Sequence, residues 1–356
     1  MAEPIHVVEP TLVDEAGHCH SFLGAMCAAA PEQVFRVWAG REVGPLYGDL
    51  PQVTLRPHFI RSLRKLQAVF LYRRLLRGTG RIFVPTAGTT DLATIDLVAR
   101  GQVPPGRASF FFHWIRPTRS KRARMGVLAR RQPHLRVLGA TQEIVDILRD
   151  VGFERSQLVP YPVSTRARPP EGPASFRYLL FAGAARQDKG FSRVVDLVAH
   201  LQDKGETIPV AVQTSAKHYG KIDVAEDVER LYQLNYRSLQ THPQTLESSE
   251  YFRLFHGAIC LQPYDRNEFA GRVSAVTVDA LASGAPILTT AGTWMGQTVD
   301  RFDAGIALED LSASALYAAA RTLIGEYERY SANARKAAEV VHEEHSGAHL
   351  LRAVLS

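Results

Sequence analysis

The sequence predicts an α/β protein made of two doubly wound halves. Three observations carry that expectation. Short apolar runs of strand length alternate with helix-length segments along the chain, the pattern of parallel sheets covered by helices. The chain has 356 residues, long for one hydrophobic core and comfortable for two. Between the two series of runs lies a stretch, residues 166–173, rich in Pro and Arg and poor in apolar side chains, which reads as a linker.

The elements can be taken in order. Ile5–Glu9 reads as the first strand. A polar loop with Gly17 follows, then a helix over residues 21–30. Further strand runs stand at residues 34–38, 81–84, 109–112 and 135–138. Residues 141–151 form a short helical pattern that Gly152 stops. Residues 158–163, LVPYPV, extend into the linker. In the second half, strands are expected at residues 178–182, 208–213, 258–261 and 286–290, with a helix over 249–256. The expected domains are 1–163 and 176–330, joined by a linker at 164–175 and followed by a C-terminal helical segment at 331–356.

Composition narrows the class. No run is apolar enough to cross a membrane, and the first residues lack the charged-then-apolar pattern of a signal peptide. The three cysteines, Cys19, Cys27 and Cys260, cannot all pair and have no metal spacing, which suits a reducing cytoplasm. The net charge of +6 hides a strong asymmetry. Residues 51–136 hold 18 Lys and Arg against two acids, Asp91 and Asp96. Such a basic half calls for an anionic partner: nucleic acid, anionic lipid or a diphosphate-bearing substrate.

The most informative stretch is residues 261–295, LQPYDRNEFAGRVSAVTVDALASGAPILTTAGTWM. An apolar strand end runs into a polar loop, a helix holding Asp279, a Gly284–Pro286 turn and another strand. In an open α/β sheet ligands sit at the carboxyl ends of strands. A helix start there offers unpaired N–H groups and a positive dipole end to a phosphate. Upstream, the strand at 178–182 ends in Gly183 and leads to Arg186, Lys189 and Gly190. Two cations at a Gly-containing turn suit a leaving group whose charge grows during reaction.

These two segments resemble the donor-binding signatures of GT-B fold glycosyltransferases, and among them the retaining glycosyltransferase family 4 (glycosyl transferases group 1). Asp279-Ala280 stands where that family has its second Glu-Ala, and Gly284 and Pro286 match its G-x-P. Gly183, Arg186, Lys189 and Gly190 match its G-R-x-x-K-G. The first Glu of the family pattern is missing: Gly271 and Arg272 occupy its place, and Glu268 is the nearest upstream acid. The resemblance implies two Rossmann-like domains facing a cleft, with a C-terminal helix crossing back to the first. It implies Arg186 and Lys189 on the donor diphosphate, Val273 and Ser274 on its β-phosphate, and Asp279 on the ribose. Gly17 would lie near the donor phosphates. His113, at the end of the Phe110–Phe112 run, would face the donor sugar. Either Glu268 or Arg272 would take over the work of the missing Glu. Residues 241–246 would meet the base, with uracil and guanine both open.

Other residues keep two readings. His18 and His20 contact an acceptor or lie in solvent, and His113 is a site residue or a packed core histidine. Trp294 walls the cleft or belongs to the core. His342, His345 and His349 have the spacing of a metal face, but Ser346-Gly347 breaks it, which favours a solvated helix end. Residues 60–81 place Ile60, Leu63, Leu66, Val69, Phe70 and Leu75 near helical spacing among Arg and Lys. That is a surface helix with its stripe inward, or a basic helix on an anionic membrane. Arg116, Arg119, Lys121, Arg122 and Arg124 follow His113 and suit an anionic acceptor or a solvated loop. No Asp-x-Asp occurs, so no metal and no other cofactor is expected.

The implied activity is transfer of a sugar from a nucleotide diphosphate sugar to an acceptor hydroxyl with retention. A lipid-linked or other anionic acceptor in bacterial polysaccharide or glycoconjugate synthesis is expected, in the cytoplasm and peripheral on the inner membrane face. Alternatives are a nucleotide-sugar epimerase or another GT-B enzyme, and a non-catalytic protein that binds nucleic acid or lipid. Nucleic acid is not the expected partner, since no nucleic-acid module is visible and aromatics are not interleaved with the basic residues.

Overall fold

The computed structural model describes residues 3–15, 18–162, 174–215, 224–244 and 246–356. Gly17, Val163 and residues 164–173 of the expected linker lie outside the described residues. The chain forms two compact units, Met1–Ser164 with Glu344–Ser356, and Thr165–Glu343.

The first unit holds strands β1 (Ile5–Glu9), β2 (Phe35–Gly40), β3 (Val53–Phe59), β4 (Arg81–Val84), β5 (Ala108–Phe112), β6 (Arg136–Gly139) and β7 (Ser156–Leu158). They make one parallel sheet in the order β3-β2-β1-β4-β5-β6-β7. Helices α1 (His18–Ala28), α2 (Arg64–Arg77), α3 (Thr89–Val98), α4 (Arg119–Arg131) and α5 (Gln142–Asp150) connect them. β1 and β5 are buried along their whole length, as central strands covered on both faces must be. β3 was not expected from the sequence. It is a sheet edge, half exposed and carrying Pro57, and an edge strand tolerates both. The last strand is Ser156–Leu158, before the Pro160 and Pro162 stretch that the sequence had suggested. Helix α1 begins at His18, three residues earlier than expected.

Helix α2 goes against one of the two readings of its apolar stripe, the one that turned it inward. Its buried residues are Ala68, Leu71, Tyr72 and Leu75. Of the six apolar residues of that stripe only Leu75 is buried, and Leu63, Leu66 and Phe70 are exposed. Both faces of this helix carry apolar side chains, so spacing alone did not choose between them.

The second unit holds β8 (Tyr178–Phe181), β9 (Val210–Gln213), β10 (Leu239–His242), β11 (Ala258–Gln262), β12 (Ile287–Thr290) and β13 (Gly305–Leu308). Its parallel sheet has the order β10-β9-β8-β11-β12-β13. Helices α6 (Phe191–Asp203), α7 (Ala225–Gln233), α8 (Ser248–Phe255), α9 (Arg266–Phe269), α10 (Ala275–Ala282), α11 (Trp294–Phe302), α12 (Ala313–Gly325) and α13 (Tyr327–Glu344) surround it. The edge strands β10 and β13 are short and only partly buried, and neither stood out in the sequence. Trp294 packs, partly buried, against the apolar core of this unit.

The chain ends in α14 (Gly347–Leu355), which packs on α1 within the first unit. A Cβ on Gly347 would stand 1.9 Å from the Ala25 carbonyl oxygen, so only glycine permits this backbone approach. Arg81 and Arg136 donate to the Val354 and Ala353 carbonyls at 3.2 and 2.7 Å, which satisfies the helix's last acceptors. The expected solvated histidine helix end is corrected here. α13 stops at Glu344, and the Ser346 hydroxyl caps α14 by accepting from His349 N–H at 3.2 Å. His345 is buried, with Nδ1 2.6 Å from the Tyr161 carbonyl.

Each sheet reverses its strand order once, between β1 and β4 and between β8 and β11. Loops leave in opposite directions there and open a crevice at the carboxyl ends of the strands.

Candidate functional site

In the second unit the reversal point brings together the loops after β8 and β11. Gly183 closes β8 at φ 90° and donates its N–H to Gln213 Oε1 at 2.7 Å. A single 3-10 turn, Gln187–Lys189, follows, and Gly190 takes a left-handed φ of 68°. A Cβ on Gly190 would lie 2.0 Å from the Pro263 carbonyl oxygen. The two loops therefore meet backbone to backbone, which Asp265 N–H to Asp188 O (2.9 Å) and Arg193 to Pro263 O (2.7 Å) hold in place.

That meeting gathers charge. Arg186 grips Asp188 with two guanidinium donors, Nε at 2.7 Å from Oδ1 and Nη2 against Oδ2. Arg272 comes from the β11 side, with Nη1 3.7 Å from Asp188 and 4.0 Å from Glu268, and its guanidinium 4.6 Å above the Phe269 ring. Lys189 is half-buried, its Nζ 5.8 Å from the Tyr264 ring centre. A Cβ on Gly183 would lie 3.0 Å from that Nζ, so the bare glycine leaves room for the ammonium. Among the described residues no carboxylate lies within ion-pair distance of Lys189. Burial, then the Arg186 guanidinium, lower its pKa from 10.5 to about 8, with Asp188 opposing the shift. Arg186 and Arg272 thus share Asp188, with Lys189 beside them and Glu268 at the rim.

The start of α10 completes this group. Ser274 is its N-cap residue, yet the Ser274 hydroxyl makes no capping bond. The first N–H groups of the helix and its positive dipole end are therefore available to an anion. Val273 precedes it, half-buried. Thr277 anchors the helix to β11 through Gln262 Oε1 at 2.7 Å. Asp279, one turn on, accepts from the Tyr251 hydroxyl at 3.0 Å. Burial raises the Asp279 pKa from 3.8 to about 7, offset in part by that hydrogen bond.

The first unit's reversal point has a different chemistry. Glu9, fully buried at the end of β1, accepts from the Thr11 hydroxyl, from Thr11 N–H at 3.1 Å and from the Thr86 hydroxyl at 2.6 Å. Burial raises its pKa. His113 stands at the end of β5, half-buried among Phe22, Phe111 and Tyr161, with ring centroids 5.1–5.4 Å away. Its Nε2 lies 2.7 Å from the Pro85 carbonyl. A carbonyl only accepts, so Nε2 carries a proton in this contact. Arg116 and Arg119 are exposed, the latter as the first residue of α4. Cations in a first helical turn oppose the helix dipole, so helix stability does not account for Arg119, Lys121 and Arg122. His18 opens α1, and its side chain lies outside the described residues.

Gly183, Arg186, Lys189, Glu268, Arg272, Val273, Ser274 and Asp279 thus share one region of the second unit. Three participants were not singled out in the sequence. Asp188 sits between the two cations of its motif, and an acid there is a readable signal. Glu9 ends an otherwise apolar strand, which also could have marked it. Tyr251 lies 28 residues from Asp279 and gives no linear sign.

No protein-family model matches the chain. No curated protein matches it either. Solved structures do. HepE from Anabaena, crystallised with UDP, superposes with a TM-score of 0.73 at 13% identity over 98% of this chain and 97% of its own. Sucrose-phosphate synthase from Thermosynechococcus elongatus gives 0.70 at 13% identity over 100% and 95%. WaaG, a glycosyltransferase involved in lipopolysaccharide biosynthesis, gives 0.64 at 14% identity over 99% of both chains. At these identities the likeness is one of architecture: two parallel-sheet α/β units that together make the fold of the GT-B glycosyltransferases.

Proposed function

We propose that this chain is a glycosyltransferase that moves a sugar from a nucleotide diphosphate sugar to an acceptor hydroxyl with retention of configuration. The observation that carries the reading is Lys189. It is a half-buried cation without an ion-pair partner among the described residues, beside two further cations and a helix N-terminus. A diphosphate supplies the missing counter-charge. The neighbours' ligands support the choice, since HepE was crystallised with UDP and with UDP-glucose.

In this reading Arg186 and Lys189 hold the leaving diphosphate, Ser274 and Val273 meet its β-phosphate, and Asp279 takes the ribose. Arg272 approaches the donor sugar in the place of the missing Glu, with Glu268 fixing its guanidinium. The bond between the anomeric carbon and the β-phosphate oxygen breaks while the acceptor oxygen bonds on the same face. The acceptor proton passes to the leaving phosphate. No protein nucleophile is needed, and the gain comes from positioning and charge stabilisation. The cations take the part of a metal ion. From the first unit, His113 serves the sugar, and Arg116, Arg119 and His18 take the acceptor. Gly17, outside the described residues, is given to the donor phosphates by the family resemblance alone. The acceptor is anionic, a lipid-linked sugar of polysaccharide or glycoconjugate synthesis, and α2 brings the protein to an anionic membrane surface. No described helix is long and apolar enough to cross a membrane.

A thermal-shift screen of nucleoside diphosphates and their sugars tests the donor. Stabilisation by one base series is expected, and no response to any of them overturns the reading. Anomeric configuration followed by NMR tests retention, and turnover that survives a chelator tests metal independence. Conversion of the donor sugar without any acceptor would instead indicate an epimerase.

A further inference from the structure

The outward face of α2 holds a feature that the donor reading leaves unused. Leu63, Leu66, Phe70, Arg73 and Arg77 are spaced by three and four residues, so they run along one side of the helix. Leu63 is 48%, Leu66 57% and Phe70 63% exposed, an apolar ridge that nothing in this unit covers. The ridge leads into a cavity of about 160 Å³ between the ends of α2 and α3. Arg73, Arg77 and Arg100 line it, over a floor that includes Leu76, Val98 and Val103. Among the described residues none of these three guanidinium groups has an ion-pair partner, and no acid lines the cavity. That space is large enough to admit a tetrahedral phosphate.

We infer that this face docks on an anionic phospholipid bilayer, with Leu63, Leu66 and Phe70 among the acyl chains and one lipid phosphate held by Arg73, Arg77 and Arg100. The inference deepens the membrane reading given above and does not depend on the donor. Charge complementarity chooses the occupant. An apolar ridge alone would fit a second protein, but a ridge ending in three arginines without ion-pair partners among the described residues, around a space that admits a phosphate, fits the layered chemistry of a lipid surface. Leu97, 73% exposed in the last turn of α3, adds apolar surface beside the cavity-lining Val98.

The test is co-sedimentation of the full chain with vesicles of phosphatidylcholine, alone or mixed with phosphatidylglycerol. The intact protein should prefer the anionic vesicles. The variant with Leu66→Ser and Phe70→Ser should bind both poorly. The variant with Arg73→Ala, Arg77→Ala and Arg100→Ala should bind phosphatidylglycerol vesicles on the order of a hundredfold more weakly. A variant losing the same charge elsewhere, with Arg237→Ala, Arg253→Ala and Lys336→Ala, should lose much less. All eight positions are exposed, and matching melting curves confirm that each variant folds. Equal losses in the two charge variants would reduce the site to general attraction and overturn the inference. So would binding of inorganic phosphate without binding of vesicles, or a dimer that the Leu66 and Phe70 changes dissociate. Nucleoside diphosphate stabilisation of the ridge variant should match that of the intact protein, which separates failure here from failure of the donor reading.

Discussion

The two sheets share a topology but spend their charge differently. The first unit carries 23 Lys and Arg against 14 Asp and Glu, a net +9, and the second 19 against 22, a net −3. Yet the carboxyl-end reversal point of the basic unit centres on a buried acid, Glu9, whose partners are hydroxyl and N–H groups. The reversal point of the acidic unit centres on Arg186, Lys189 and Arg272. Eleven of the first unit's 23 cations lie exposed on α2 and α4. Net charge therefore did not reveal where an anion would be held at short range. Topology did, because both crevices form where strand order reverses, and local residue chemistry then distinguished them.

The strongest way to break that comparison is to remove the cations of the second crevice. Lys189→Ala and Arg186→Ala should each lower turnover by on the order of 10²–10³-fold, the usual scale for losing one charge-stabilising group. The Lys189→Ala melting curve should stay close to the parent, because Lys189 has no ion-pair partner among the described residues, whereas Arg186→Ala also loses the pair with Asp188. Steady-state kinetics with the donor found by the screen reads this out. The Arg186 change should show a second effect. It frees Asp188, which then competes with the donor for Arg272, so KM should rise as well as kcat fall.

The same operation on the first crevice should give the opposite pattern. Glu9→Ala leaves the Thr11 and Thr86 donors without their acceptor, and the expected loss of stability is about 3 kcal/mol for several buried unsatisfied donors. Glu9→Gln keeps one acceptor oxygen and should recover most of it, since the Thr86 hydroxyl can turn and accept from the amide. Nucleoside diphosphate affinity should be unchanged in whichever variant folds. Denaturant unfolding with and without nucleotide checks both points.

Legibility in the sequence followed the same divide. The central strands β1, β5, β8, β11 and β12 were readable because burial on both faces makes them continuous apolar runs. The edges β3, β10 and β13 were not, since a half-covered strand needs few apolar residues. The cations and the start of α10 were readable because one loop or turn holds each group. The Tyr251–Asp279 and Arg272–Asp188 pairs join residues that only tertiary packing brings together. For α2 the difficulty was an excess of signal: two apolar faces share one helical period.

The smallest expected effect concerns proton binding in the second crevice. Asp279 ionises at about 7 in the folded protein against 3.8 in the ordinary state. Between those values the folded chain retains a proton that the unfolded chain has released. The unfolded state then binds fewer protons, so this group's contribution to stability falls as pH rises through that window. Asp279→Asn removes the proton and with it the slope. Relative to the parent, the variant's melting midpoint should rise by about 2–4 °C between pH 5 and pH 7 for each kcal/mol recovered, read by melting curves at matched ionic strength. Lys189 runs the other way. Its folded value of about 8 lies below 10.5, so its cost to stability is relieved as pH rises from about 8 to 10.5. A bound diphosphate favours the charged amine, so nucleotide binding near pH 8 should take up a fraction of a proton, measurable by calorimetry in buffers of different ionisation enthalpy. Lys189→Met should abolish that uptake. The Glu9 variants should leave it intact, because the acid that shapes the first crevice belongs to the other unit.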